Sequence, residues 1–287
     1  MKKGAIMKDL SNENVIHIKK DGIEYLQFRK LLEYSDVIKH GYAIGLDRNF
    51  RTARAKNVEP LSEKEYNRAI KDYKELADSI GIEYINIAKP NQAHTKNIKR
   101  MDKKINQDRP DFNLDEYNAT DGLLTNKKNI ALSTTNADCI LMLFFDPVKK
   151  AIANVHSGWK GTLQRISVEA VDKMKQEYGC NPQDIICCIC PSIRKCHFKV
   201  HRDVQEPYYN EFKDLEEINQ LIVPIPGEDI WTIDTVEINK IILKQAGLKA
   251  ENIIDSGICS VCNSDQIHSF RVEKEEYGLG TAIIELM

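Results

Sequence analysis

The sequence predicts a single-domain α/β protein in which strands and helices alternate along the chain. Three observations lead there. Segments with two-residue and with 3.6-residue apolar periodicity are interleaved rather than grouped. A chain of 287 residues, 42% hydrophobic and 29% charged, has a globular composition and enough apolar side chains for one large core. Residues with the chemistry of a site are spread from His40 to Arg271, so no stretch between them reads as an independent unit.

The elements follow in order. Residues 1–39 are expected to supply N-terminal strands. Ser62 with Glu65 three residues on is a capping box; apolar residues recur at Tyr66, Ile70, Tyr73, Ala77 and Ile80, and Gly81 can end the helix. Glu83 to Ala88 has the β-branched alternation of a strand stopped by Pro90, which leaves His94 on the loop beyond. Thr95 to Ala119, with Lys103-Lys104 and Asp108-Arg109-Pro110-Asp111, reads as a long surface loop or strand pair. Ile130–Thr135, Ile140–Phe145 and Ala151–Val155 read as three strands, the middle one apolar on both faces and hence central. Thr162 to Tyr178 reads as one helix with Leu163, Ile166, Ala170, Val171 and Met174 on a single face. Asp184–Ile189 is a buried strand, Asp234 with Glu237 starts a third helix, and Gly257–Cys262 and Thr281–Leu286 read as closing strands.

Charge and hydropathy narrow the function classes. Lys plus Arg (41) nearly balances Asp plus Glu (43), so neither nucleic acid nor an anionic membrane is an expected partner. The longest apolar run, Ile140 to Phe145, is far short of the roughly 20 residues that span a bilayer. Met1 to Glu13 lacks the apolar core of a secretory signal, so a cytoplasmic location is expected, with the eight cysteines as thiols or ligands.

The sharpest chemical signal is Thr135-Asn136-Ala137-Asp138-Cys139, followed after one strand by Asn154-Val155-His156-Ser157-Gly158-Trp159-Lys160-Gly161. A Cys and a His at adjacent strand ends can converge, and thiolate and imidazole are preferred zinc ligands. His94, in Gln92-Ala93-His94, is the natural third ligand, leaving one position open. Spacing alone equally allows Cys139 as a small core residue and His156 as a hydrogen-bonded strand-end histidine. A four-thiolate site from Cys187-x-x-Cys190 and Cys259-x-x-Cys262 is disfavoured, because the first pair lies in an apolar strand. His17, His197, His201 and His268 have no motif support and are given no role.

At these residues the chain resembles the bacterial YfiH-like laccase-domain family, once called multicopper polyphenol oxidases and now regarded as purine nucleoside phosphorylases. The resemblance runs from about His40 to the C-terminus. It rests on His40-Gly41, Asn67-Arg68, Gln92-Ala93-His94, Asp121-Gly122-Leu123-Leu124-Thr125, Ala137-Asp138-Cys139, His156-Ser157-Gly158-Trp159-Lys160-Gly161, Pro191-Ser192-Ile193 and Ser269-Phe270-Arg271, in that order. It implies a layered α/β sandwich, also seen in toxin deamidases, with zinc as cofactor on His94, Cys139 and His156. The implied activity is phosphorolysis of adenosine, inosine or methylthioadenosine, with adenosine deamination beside it. The partners are then a nucleoside and phosphate.

His40 and Asp138 are the candidate catalytic residues: His40 for proton transfer, Asp138 as general base or as an orienter of Cys139. Lys160 and Arg271 are the candidate substrate anchors for an anion. The chain departs from the family pattern where an arginine is expected after His40-Gly41 (Tyr42-Ala43-Ile44-Gly45), at Arg271-Val272 and at Gly278-Leu279-Gly280. Fewer arginine forks imply that the anionic part of the substrate, or its binding mode, differs. Two other functions fit the same residues: a cysteine hydrolase or deamidase with Cys139 as nucleophile and His156 as base, and a non-catalytic zinc-binding protein. A copper oxidase fits poorly, since two histidines and a cysteine are too few ligands for a multicopper cluster.

Overall fold

The computed structural model describes residues 8–52, 60–103 and 117–287. Strand β1 (Val15–Lys20) turns through Asp21 and Gly22, both at positive φ, into β2 (Ile23–Phe28), the two-residue turn that matches strand twist. A short α1 (Arg29–Leu32) leads to β3 (Ile38–Ile44). Helix α2 (Glu63–Ile80) starts at a complete Ser62–Glu65 capping box and ends on Gly81 at φ 82°, as its sequence dictates. Then come β4 (Ile87–Ala88), β5 (Ile98–Arg100), β6 (Gly122–Thr125), β7 (Ala131–Asn136), β8 (Ile140–Asp146) and β9 (Ala151–Ser157). Helices α3 (Trp159–Leu163) and α4 (Ile166–Tyr178) precede β10 (Ile186–Ile189) and β11 (Lys199–Val200). After α5 (Arg202–Phe212), α6 (Ile218–Leu221), β12 (Ile222–Pro224), β13 (Trp231–Ile233) and α7 (Thr235–Gln245), the chain closes with β14 (Ile253–Asp255), α8 (Phe270–Glu273) and β15 (Gly280–Leu286).

Among the described residues these strands form one mixed α/β domain of two six-stranded sheets, ordered β1-β2-β3-β15-β7-β4 and β14-β10-β8-β9-β6-β5, with a three-stranded sheet β11-β13-β12 beside them. Alternation along each strand sorts side chains between layers. On β8, Leu141, Leu143 and Phe145 join the core shared with the first sheet, while Ile140, Met142 and Phe144 join the core beneath α4 and α7. All six are buried. Truncating one, as in Leu143→Ala, would cost about 2–5 kcal/mol. On the outer face of the first sheet, Tyr73 of α2 reaches Ser133 of β7, and Gly41 lets the helix lie close: a Cβ there would sit 2.6 Å from Ile80 Cδ1. The layers are therefore helix, sheet, sheet, helices. Asn154 of β9 holds the two sheets together by donating to the carbonyls of Leu132 and Ala282.

Three expectations are corrected, and one falls largely outside the described residues. Residues 83–88 are a 3₁₀ turn, Tyr84–Asn86, before the two-residue β4, because Asn86 turns inward to donate to Glu285. The expected Thr162–Tyr178 helix is two helices broken at Arg165, which sits at φ 56°; the break lets α3 follow Gly158 while α4 lays its apolar face on β9. Gly257–Cys262 forms turns with one bridge from Cys259 to Ser192 rather than a strand. Of 95–119, Ile98–Arg100 pairs in parallel with β6, whereas Lys104 and Asp108-Arg109-Pro110-Asp111 lie outside the described residues. Among the described residues, no helix is long and apolar enough to cross a membrane.

Candidate metal centre

Two loops and the end of a strand converge at one edge of the two sheets. Cys139 follows the turn from β7 of the first sheet to β8 of the second, His156 lies near the end of β9, and His94 sits on the loop after β4. Their ligand atoms all lie within 4.8 Å of one another, with Cys139 Sγ 3.9 Å from His94 Nε2. The rings of His94 and His156 stand edge to face, 5.0 Å apart.

Asp121, fully buried just before β6, holds this arrangement from behind. Its carboxylate accepts from His156 Nδ1 at 2.8 Å, from the backbone N–H groups of Ala93, His94 and Thr95, and from the Thr95 hydroxyl. Burial raises a carboxyl pKa, but the hydrogen bond and charge of His156 and the Thr95 donors outweigh it and keep Asp121 below its ordinary value. An anionic Asp121 holds the Nδ1–H of His156, which turns Nε2 toward Cys139 and His94. The same carboxylate pins the His94 loop, whose backbone is left-handed at His94 (φ 59°). Gln92 adds a second anchor, donating to the Thr135 carbonyl and accepting from the Thr135 N–H, each at 2.8 Å.

Cys139 and His156 perturb each other. Burial would push the thiol up, but the charge of His156 and hydrogen bonds from both imidazoles bring it down to about 6. Burial would likewise lower His156, yet the neighbouring thiolate and Asp121 raise it to about 9. A thiolate beside two imidazoles is a donor set of the kind zinc prefers. Gly158 closes one side: a Cβ there would lie 2.5 Å from His94 Cδ2 and 3.3 Å from Cys139 Sγ.

The other predicted site residues fall into place differently. His40 is a correction. Its ring is buried in β3, with Nε2 accepting from the Phe28 N–H at 2.8 Å, and burial lowers its pKa to about 3, so it serves the sheet as a neutral acceptor rather than the pocket as an acid. Asp138 (φ 82°) acts on the Cys139 turn: its carboxylate accepts from Ser260 Oγ at 2.6 Å and the Arg271 N–H at 2.7 Å, and its carbonyl accepts from the Ile193 N–H. Both oxygens are thus engaged in holding the turn that carries Cys139. Arg271 is also corrected, because its guanidinium donates to the carbonyls of His197 and Lys199 instead of facing outward as an anion fork. Lys160 is exposed at the start of α3, two residues beyond Gly158, with its ammonium 5.4 Å from the Trp159 ring centroid. Cys187 and Cys190 stay buried, and Cys259 and Cys262 approach Cys196 and His197 instead.

Two residues of the centre escaped the sequence reading. Asp121 was visible only as part of a motif, and its signal was an aspartate placed directly before an apolar strand. Gly158 was visible only as spacing within His156-Ser157-Gly158-Trp159.

With this geometry in hand, comparison places the chain. The family described as multi-copper polyphenol oxidoreductase laccase matches residues 54–287, and the chain belongs to that family. It is 31% identical over 175 residues to human LACC1, named a purine nucleoside phosphorylase, covering 60% of this chain and 39% of that one. It is 34% identical over 160 residues to Bacillus subtilis YlmD, also named a purine nucleoside phosphorylase, covering 56% of each. RL5, an adenosine deaminase from an unknown prokaryotic organism, is 28% identical over 200 residues, 68% of this chain and 73% of its own. The chain therefore spans little more than half, or less, of the first two relatives. The crystal structure of Bacillus licheniformis YfiH shares the fold, with a TM-score of 0.78 at 24% identity over 92% of this chain and 96% of that one.

Proposed function

We propose that this chain is a zinc-dependent enzyme acting on purine nucleosides, by phosphorolysis of adenosine, inosine or methylthioadenosine and by deamination of adenosine. The observation that carries the reading is the preassembled set of His94, Cys139 and His156, backed by a carboxylate that orients one imidazole and pins the loop of the other. The names of the relatives give the substrate class.

The donor set fits zinc: two imidazoles and one low-pKa thiol supply three ligands and leave a fourth position open. When bound, zinc supplies Lewis acidity, lowering the pKa of water toward neutrality and polarising a bound group. The protein's part is orientation. Asp121 holds the Nδ1–H of His156, Asp138 and Asn136 hold the Cys139 turn by hydrogen bonds, and Lys160 offers an exposed cation at the rim for phosphate. The eight free thiols fit a reducing cytoplasm.

Metal analysis of the full chain, paired with adenosine turnover with and without phosphate, tests the proposal. Phosphate-dependent release of adenine that is lost in Cys139→Ala supports phosphorolysis, and inosine formation supports deamination. Turnover unchanged in Cys139→Ala would sink both.

A second reading has one observation in its favour. The lowered thiol pKa of Cys139 beside His156 also suits a cysteine nucleophile with a histidine base. Rapid alkylation of Cys139 in the zinc-loaded protein would favour that reading, because a metal-bound thiolate resists it.

A further inference from the structure

Cys196, His197, Cys259 and Cys262 gather on the loops that follow two neighbouring parallel strands. Strands β10 and β14 run side by side, with Ile189 opposite Asp255. Beyond them the chains stay together, since Ser192 bridges to Cys259 and Ser260 donates its N–H to the Ser192 carbonyl. The first loop carries Cys196 and His197, and the second carries Cys259-x-x-Cys262.

The separations within the group are those of ligands around one ion. Cys196 Sγ lies 3.7 Å from Cys259 Sγ and 3.9 Å from Cys262 Sγ. His197 Nδ1 lies 3.1 Å from the sulfur of Cys196, 3.7 Å from that of Cys259 and 3.6 Å from that of Cys262. A tetrahedron with metal–sulfur bonds of about 2.3 Å and a metal–nitrogen bond of about 2.0 Å has edges of roughly 3.8 Å between sulfurs and roughly 3.5 Å between sulfur and nitrogen. All four ligand atoms are within 4.8 Å of one another.

Backbone N–H groups of Cys262, Arg194 and Val261 and the Cys196 thiol point at the Cys259 sulfur, donors of the kind that surround a metal-bound thiolate. Arg271 fixes the His197 backbone by donating to its carbonyl. Four protein ligands with no open position define a structural rather than a catalytic zinc site.

We infer that Cys196, His197, Cys259 and Cys262 form a second, structural zinc site of the three-cysteine, one-histidine type. It staples two loops 62 residues or more apart in sequence, at the point where they also hold Asp138 through Ser260 and Arg271. The inference does not depend on the activity assigned to the first centre.

The test is metal loading of the full chain, purified under reducing conditions, stripped with chelator and reloaded with zinc alone or cobalt(II) alone. The expected result is two zinc equivalents per chain, falling to one in Cys139→Ala and to one in the double variant Cys196→Ser and Cys262→Ser. Cobalt-loaded Cys139→Ala should show the intense sulfur-to-cobalt charge-transfer absorption of a tetrahedral three-thiolate site. That measurement decides the matter even where the double variant fails to fold. A cobalt-loaded Cys139→Ala protein without that absorption, or a single zinc equivalent that Cys139→Ala abolishes, overturns the inference. So does a disulfide among Cys196, Cys259 and Cys262 in the reduced preparation.

Discussion

Asp121 accepts from one imidazole and three consecutive backbone amides, so a single carboxylate sets both the orientation of His156 and the position of His94. Asp121→Asn keeps the shape but removes the charge and presents an amide N–H to part of this donor set. It should weaken zinc binding at the first centre about 10–100-fold, measured by competition with a chromophoric chelator, while far-ultraviolet circular dichroism stays unchanged. His40 illustrates the opposite case, a histidine whose neutral form the fold requires. Its Nε2 must keep a lone pair for the Phe28 N–H, and its pKa of about 3 lies below that of the unfolded chain. Between roughly pH 6.5 and 3 the unfolded chain binds a proton there that the folded one does not, so stability falls with acidity by about 1.4 kcal/mol per pH unit from this group. Urea unfolding across that range should show the slope in the wild type. A His40→Gln variant, without the titrating ring, should lack that share of it, and an identical slope in both would refute the assignment.

Among the elements, the segment from β9 through Gly158 into α3 does the most to shape the centre, because it must place His156, pass close to His94 and then turn into a helix. Gly158 has an ordinary extended backbone (φ −67°), so its requirement is space rather than conformational freedom. Gly158→Ala should therefore displace the His94 ring and lower zinc affinity and turnover at least tenfold, while the melting temperature of the metal-free protein moves by only a few degrees. Full zinc affinity in this variant would mean that the ring can yield. The elements legible in the sequence are those whose physics is local: the capping box of α2, the two-faced apolar run of β8 and the Asp234 cap of α7. Those that were not legible answer to distant partners. The break at Arg165 exists because α3 and α4 dock on different surfaces, and β11, β12 and β13, of two or three residues each, carry too few positions to show a period. The convergence of His94, Cys139 and His156 could be expected because their residue types carry metal-binding chemistry and Cys139 and His156 stand at adjacent strand ends. Asp121 could not, since its role depends on amides 26 to 28 positions earlier and an imidazole 35 positions later.

At the scale of the whole molecule, the proposed metal centre spans both sheets. His94 hangs from the first sheet, His156 belongs to the second, and Cys139 lies on the turn that crosses between them. A metal bound there joins the two sheets at their solvent edge, adding to the shared core of Leu141, Leu143, Leu132 and Ile284 and to the Asn154 bonds between layers. Binding to the native state alone raises stability with free ligand concentration, by about 2.7 kcal/mol at one hundred times the dissociation constant. For a domain of this size that corresponds to a rise in melting temperature of roughly 4–5 °C. Calorimetry of the Cys196→Ser, Cys262→Ser variant isolates this contribution from any metal on the second group of cysteines. Because the ligands come from both sheets, zinc should shift one cooperative transition upward as a unit. A thermogram in which zinc moves only part of the unfolding heat, splitting one transition into two, would show that the sheets unfold separately and that the metal does not clasp them.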